Sequence, residues 1–281
     1  MTKDVPDNFL GIPEIDLKGA QAVILPIPFE ATVSYGGGTK NGPKAMLEAS
    51  KQVELYDHEL GYEVHEKVKI ATLPGVKFKG ENAEQAQRVI YDAAQPWTDK
   101  FLMSFGGEHS ITPALVKAYK EKYSDLSILY FDAHTDMRQE WDGDKFSHAC
   151  AARRCQEQGI ERIVWVGIRN TALSEQQYID KDFVNYGNKY NLEKILSQLG
   201  ENVYISFDID AFDVSTMPAT GTPEPGGIAW GQAMEIFEAV TRSKNIVGAD
   251  VNELAPIPGF HGYDFLAAKL AFKLIGYKFR K

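Results

Sequence analysis

The sequence predicts a single α/β domain over residues 1–281, built in three layers with a central parallel sheet flanked by helices. Three observations lead there. Short apolar runs alternate with helix-patterned segments along the whole chain, the pattern of successive βαβ units. A hydrophobic content of 44% and a charged content of 25% supply an ordinary globular core, and 281 residues suit one sheet of this kind. Three of the apolar runs end in clustered Asp, His or Glu, as parallel strands do where they deliver functional residues into one crevice. No composition shift marks a linker, and there is no tandem repeat or low-complexity tract.

Taken in order, a polar leader containing Pro6 precedes Ala20 to Pro28, which reads as the first central strand. The glycines at 36–38 and 42 invite a phosphate-loop reading, but no Gly-Lys-Ser/Thr follows, so a loop at the mouth of a site is expected. A helix over 44–53, a short strand over 68–71 and a helix over 81–97 come next. Strand 101–105, helix 112–122 (opened by Thr112-Pro113) and strand 126–132 form a βαβ unit. A polar loop over 138–147 leads to a helix over 148–157 and a strand over 162–167; 178–191 is irregular, and 192–199 is helical. Strand 203–208 precedes a Pro-, Gly- and Thr-rich loop over 214–227. Helix 231–242, strand 245–251 and helix 263–275 close the chain.

The organising stretch is Ile128 to Asp136. It starts as a strand buried on both faces and ends in Asp132, His134 and Asp136, which share one face if the chain stays extended. Val203 to Asp208 repeats the arrangement with Asp208 and Asp210; Asp213, out of phase, suits a turn cap. Phe101 to Phe105 runs through Gly106-Gly107 into Glu108 and His109. Three strand ends thus gather His109, Asp132, His134, Asp136, Asp208 and Asp210. A single ion rarely takes four protein carboxylates, whereas two ions at ~3.5–4 Å use bridging ones naturally. Oxygen-rich donors with imidazole and no thiolate suit two Mn²⁺, with zinc, cobalt and nickel left open. Such a pair lowers the pKa of a water between the ions.

The formal net charge of −9 disfavours nucleic acid and anionic membranes as partners and favours a cationic ligand. Cys150 and Cys155 are too few for a disulfide framework and read as packed thiols. Met1 to Asp7 lacks an apolar signal core, and the late apolar stretch is broken by Lys269 and Lys273, so a soluble, cytoplasmic protein is expected.

Gly-Gly-Glu-His-Ser at 106–110, Asp-Ala-His-Thr-Asp at 132–136, Ser-Phe-Asp-Ile-Asp at 206–210 and Gly-Thr-Pro-Glu-Pro-Gly-Gly at 221–227 resemble the signatures of the ureohydrolases, the arginases and agmatinases. Asp250 to Pro256 resembles the family's last signature, and the match runs from about Pro26 to the C-terminus. The resemblance implies an arginase-like fold and one Mn²⁺ held by His109, Asp132, Asp136 and Asp208. It implies a second held by Asp132, His134, Asp208 and Asp210, with Asp132 and Asp208 bridging. Glu108 stands where the family often has Asp, in a supporting position. Glu253, a carboxylate beyond those needed to neutralise two divalent ions, would hold a guanidinium in a bidentate fork. His148, in a Ser-His-Ala that matches the agmatinase proton-shuttle position, would protonate the leaving amine.

Met137-Arg138-Gln139-Glu140 replaces the small polar pattern expected where arginine's head group binds, and Arg138 to His148 looks more like agmatinases. The expected reaction is agmatine plus water to putrescine plus urea. Aminopropylagmatine, guanidinobutyrate, arginine and formimidoylglutamate are the alternative substrates; the last would want a basic cluster beyond Arg138, Arg153 and Arg154. A two-metal phosphoesterase would need Arg or Lys beside the ligand strands, and a silent family member would tolerate missing ligands. The resemblance also implies a homo-oligomer, a trimer or hexamer.

Overall fold

The computed structural model describes residues 7–280, so the polar leader read from Met1 to Asp7 lies outside them except for Asp7. The chain forms β1 (Ala22–Ile27), α1 (Gly42–Ser50), a small antiparallel hairpin of β2 (Tyr56–Asp57) and β3 (Tyr62–Glu63), the single turn α2 (Val64–Lys67) and β4 (Ile70–Thr72). It continues as α3 (Ala83–Ala94), β5 (Phe101–Gly106), α4 (Thr112–Lys120), β6 (Ser127–Phe131), α5 (Ala151–Glu157), β7 (Ile163–Ile168) and β8 (Val184–Tyr186). Then come α6 (Leu192–Gln198), β9 (Asn202–Asp208), α7 (Trp230–Ser243), β10 (Asn245–Asn252) and α8 (Gly262–Lys278). Eight strands make one sheet in the order β4-β1-β5-β10-β9-β6-β7-β8, and every pairing is parallel.

The strands carry apolar side chains to both faces, as burial beneath two helical layers requires. Leu129 and Phe131 join the core beneath α6, α7 and α8, while Ile128 and Tyr130 join the core beneath α3, α4 and α5. The expected three-layer parallel architecture is therefore present. Local signals set the helix starts. In α3 the Asn82 side chain accepts the Gln85 N–H at 2.9 Å while Gln85 accepts the Asn82 N–H at 3.2 Å, so the helix begins at Ala83.

The hairpin and β8 were not expected, because two or three residues are too short to show periodicity. Lys273, read as an interruption of the last apolar stretch, is buried in α8; it donates to Asp57 at 2.9 Å and Glu59 at 2.5 Å and pins the hairpin. No helix among the described residues is long and apolar enough to cross a membrane. Cys150 and Cys155 are both free and buried, as read.

Sheet order places the site. The carboxyl ends of β5, β10, β9 and β6 are adjacent at the centre of the sheet, and they lead into His109, Glu253, Asp208 and Asp132 respectively. The turn after β5 needs its glycine, since a Cβ at Gly107 would lie 1.9 Å from the Phe29 carbonyl.

Candidate metal centre and its pocket

All six expected ligands meet in one place. His109, Asp132 and Asp208 form one group of converging donors, and Asp132, His134 and Asp210 form a second, with Asp132 common to both. His109 Nδ1 faces three carboxylates, 3.1 Å from Asp132 and 3.3 Å from both Asp136 and Asp208. His134 Nδ1 lies 3.0 Å from Asp210 and 3.5 Å from Asp132.

The route to this convergence differs from the expected one. Strand β6 ends at Phe131, His134 makes an isolated parallel bridge to Asn170, and the chain reaches the left-handed region at Asp136, at φ 49°. The three ligands thus do not lie along one continuous strand; a turn, braced by the His134 N–H donating to Asp132 at 2.6 Å, follows the strand end and helps bring them together. After β9 the chain likewise enters a 3₁₀ turn, Ile209–Ala211, in which Asp208 accepts the Asp210 N–H at 2.8 Å. The two turns are joined by the Ala133 N–H, which donates to Asp210 at 2.9 Å. Asp213 caps the next turn by accepting from Ser215 and Gly226, which hold its carboxyl down at about 2.

Four buried carboxylates so close together need positive charge. Burial, with the like charges of Asp136 and Asp210, pushes Asp132 up to about 7, and burial beside Asp210 and Asp132 pushes Asp208 well above the carboxylate range. Burial opposes ionisation of Asp136 and Asp210 too, yet the imidazoles of His109 and His134 hold these two below their ordinary values. Burial likewise works against charge on the imidazoles, but the facing carboxylates raise His134 to about 12 and His109 well above its usual value. Protons on imidazole thus occupy the role that cations would fill. The Oδ2 of Asp132 is buried and has no hydrogen-bond partner, which marks it as a donor aimed at an ion. The donor set fits a pair of divalent cations.

Residues to which the sequence assigned no role hold these ligands. His109 Nε2 lies 2.8 Å from Ser206 Oγ, which donates to Asp250 at 2.7 Å. Asp250, fully buried, also accepts from Tyr204 at 2.8 Å and Asn252 at 2.6 Å. Ser206 therefore accepts from Nε2–H, which leaves Nδ1 as the nitrogen turned towards the carboxylates. Tyr130 Oη donates to Asp136 at 2.9 Å, and its ring stacks on His109. A signal existed for Asp250, a carboxylate inside an otherwise apolar strand.

Five of the six ligands, all but Asp132, line a cavity of about 330 Å³ that His148 and Glu253 also line. Glu253, in the left-handed region at φ 68°, accepts the His109 N–H at 2.6 Å. Burial, reinforced by the Glu108 charge, pushes its carboxyl well above the usual range. Glu108 is fully buried and accepts from Ala31 N–H, Thr32 N–H, Thr32 Oγ1 and Ser110 Oγ at 2.6–2.9 Å, a supporting position as expected. Since Thr32 Oγ1 donates to Glu108, it accepts from His148 Nδ1 at 3.1 Å, leaving Nε2 as the basic nitrogen. Ser34 to Gly36 of the glycine-rich loop line the cavity wall, as read for a loop at the mouth. Arg138, at the same mouth, stacks 4.3 Å over Trp141, and Glu175, unremarked in the sequence, braces the wall by accepting the Met137 N–H at 2.9 Å.

A shared carboxylate between two imidazole-containing donor groups, at the carboxyl edge of a parallel sheet, defines a two-ion α/β site. The arginase family model matches residues 20–276, and the chain belongs to the arginase family as an agmatinase-like ureohydrolase. It is 37% identical over 276 residues to the N(1)-aminopropylagmatine ureohydrolase of Thermus thermophilus, covering 92% of this chain and 90% of that one. It is 33% identical over 274 residues to the agmatinase of Pyrococcus horikoshii, covering 94% of each. The crystal structure of agmatine ureohydrolase of Thermoplasma volcanium superposes with a TM-score of 0.81 at 30% identity, covering 92% of this chain and 90% of that one.

Proposed function

We propose that this protein is a manganese-dependent hydrolase of a cationic guanidino amine, with agmatine as substrate and urea and putrescine as products. The observation that carries the reading is Glu253. Four ligand carboxylates balance two divalent ions, so Glu253, at the end of β10 in the same cavity, is a fifth negative group left for a cationic substrate. A guanidinium there would relieve the unfavourable charge on the Glu253 carboxyl and be oriented by it.

Two bound divalent ions would lower the pKa of a bound water and so supply a nucleophile near neutral pH. His109, Asp132, Asp136, Asp208, His134 and Asp210 would hold the ions, with Asp132 and Asp208 shared. Glu253 fixes the guanidinium plane. His148, through Nε2, takes up the proton that the attacking water gives up and passes it to the departing amine, as one C–O bond forms and one C–N bond breaks. Thr32 and Glu108 keep the His148 proton on Nδ1.

Aminopropylagmatine is the second reading. The Thermus thermophilus relative carries that name, and exposed Tyr35 and Trp141 line the cavity, offering apolar surface to a longer polyamine. The net charge of −9 supports a cationic substrate in either case. A cytoplasmic homo-oligomer, trimer or hexamer, completes the proposal. Urea release by the manganese-loaded protein from agmatine, aminopropylagmatine and arginine tests it. One of the two amines should give the highest kcat/KM; a preference for arginine would overturn the choice of substrate.

A further inference from the structure

The guanidinium of Arg169 meets six backbone carbonyls from three segments. Nη1 donates to Gly167 at 2.7 Å and Ala211 at 3.5 Å; Nη2 donates to Asp210 at 2.6 Å, Phe212 at 3.2 Å and Glu224 at 2.9 Å; Nε donates to Pro225 at 3.1 Å. No carboxylate takes part in this set. The main-chain N–H of Arg169 donates to the Ala133 carbonyl at 2.8 Å, and that of Asn170 to the same oxygen at 2.9 Å.

These contacts close a ring. Ala133 lies between Asp132 and His134, and its own N–H donates to the Asp210 carboxylate. Arg169 thus grips the turn bearing His134 through its main chain and the turn bearing Asp210 through its side chain. The approach needs Gly167, at φ 100°, where a Cβ would lie 2.9 Å from the Asp132 carbonyl. The third grip, on Glu224 and Pro225, fastens the loop whose Thr220 to Thr222 line the cavity. His109 and its supports, Ser206 and Asp250, accept no hydrogen bond from the guanidinium.

We propose that Arg169 is a positioning residue for one half of the centre: it holds His134 and Asp210 at ligating distance and leaves the His109 half to other supports. A planar fork with five donors can span three segments, whereas the compact ammonium of lysine cannot. Removing a group that orients metal ligands typically weakens metal affinity about 10–100-fold.

The inference rests on the two-ion reading, and the test separates them. Mn²⁺ is titrated into metal-free wild type, Arg169→Lys, Arg169→Ala, Asp210→Asn and the Arg169→Ala/Asp210→Asn double variant, with folding checked by circular dichroism and melting. Wild type should bind two ions. In Arg169→Ala one binding step should stay within about threefold while the other falls about tenfold or more. Arg169→Lys, which keeps the charge and should fold even if the alanine variant does not, should fall between. The double variant should bind no worse than Asp210→Asn, since both changes act on one half. Unchanged binding in the lysine and alanine variants, equal loss of both ions, or fully additive losses would each overturn the inference while leaving the two-ion reading standing. A wild type that binds one ion would overturn both.

Discussion

The Oδ2 oxygen of Asp132 lies 3.1 Å from Nδ1 of His109 and has no hydrogen-bond partner, although it is buried. The other oxygen of the same carboxylate lies 3.5 Å from His134 Nδ1, so Asp132 faces both halves of the ligand set. Asp132→Asn should therefore lose both ions rather than one, and with them activity. Metal analysis after dialysis checks this. Retention of two tightly held ions with near-normal turnover would remove Asp132 from the bridge.

Glu253 should matter for substrate and not for metal. Glu253→Gln keeps an oxygen to accept the His109 N–H but loses the charge that faces a guanidinium. Metal content should be unchanged, and kcat/KM should fall by at least the 1.5–3 kcal/mol of a hydrogen bond to a charged group, about 10–150-fold. Inhibition by borate, which carries no guanidinium, should change little. Unchanged agmatine kinetics would exclude Glu253 from the substrate site.

His148→Ala should lower kcat about 10²–10⁴-fold with both ions in place. Thr32→Val removes the hydroxyl that orients the ring and should lower kcat by a smaller factor, while Thr32→Ser should restore most of it. A His148 variant that loses manganese would instead make that imidazole a ligand.

Metal binding should release protons. In the metal-free protein both His109 and His134 are raised above their ordinary values, His134 to about 12, so both imidazoles carry protons at neutral pH. Ligation needs the neutral ring and the ionised carboxylate, so binding two ions at pH 7 should expel at least two protons, those of the imidazoles, with a further contribution from Asp132 and Asp208, which burial pushes up. The raised pKa values favour the protonated form, so affinity should rise with pH from about 6 to 8. Calorimetry in buffers of differing ionisation heat measures the proton count. Affinity that is flat or falls with pH would contradict the ligand assignment.

The site was legible because its ligands cluster where apolar runs end, at Asp132 and Asp208 and just past Gly106. Asp136 was found by spacing, although its position arises from a left-handed turn and not from strand alternation. The support for His109 was hidden: Ser206 and Asp250 face each other only because β9 and β10 pair in that register, which one sequence does not show. Arg169 left no trace, since its acceptors are backbone carbonyls that any residue supplies. The hairpin and β8 were too short to carry a period.

The most direct test of the account is where the oxygen goes. Agmatine is turned over by the manganese-loaded protein in ¹⁸O-water, and the products are resolved by mass spectrometry. The account predicts urea with one ¹⁸O per molecule and unlabelled putrescine in equal amount. Ammonia with a ureido amine, or no reaction with either agmatine or aminopropylagmatine, would contradict it.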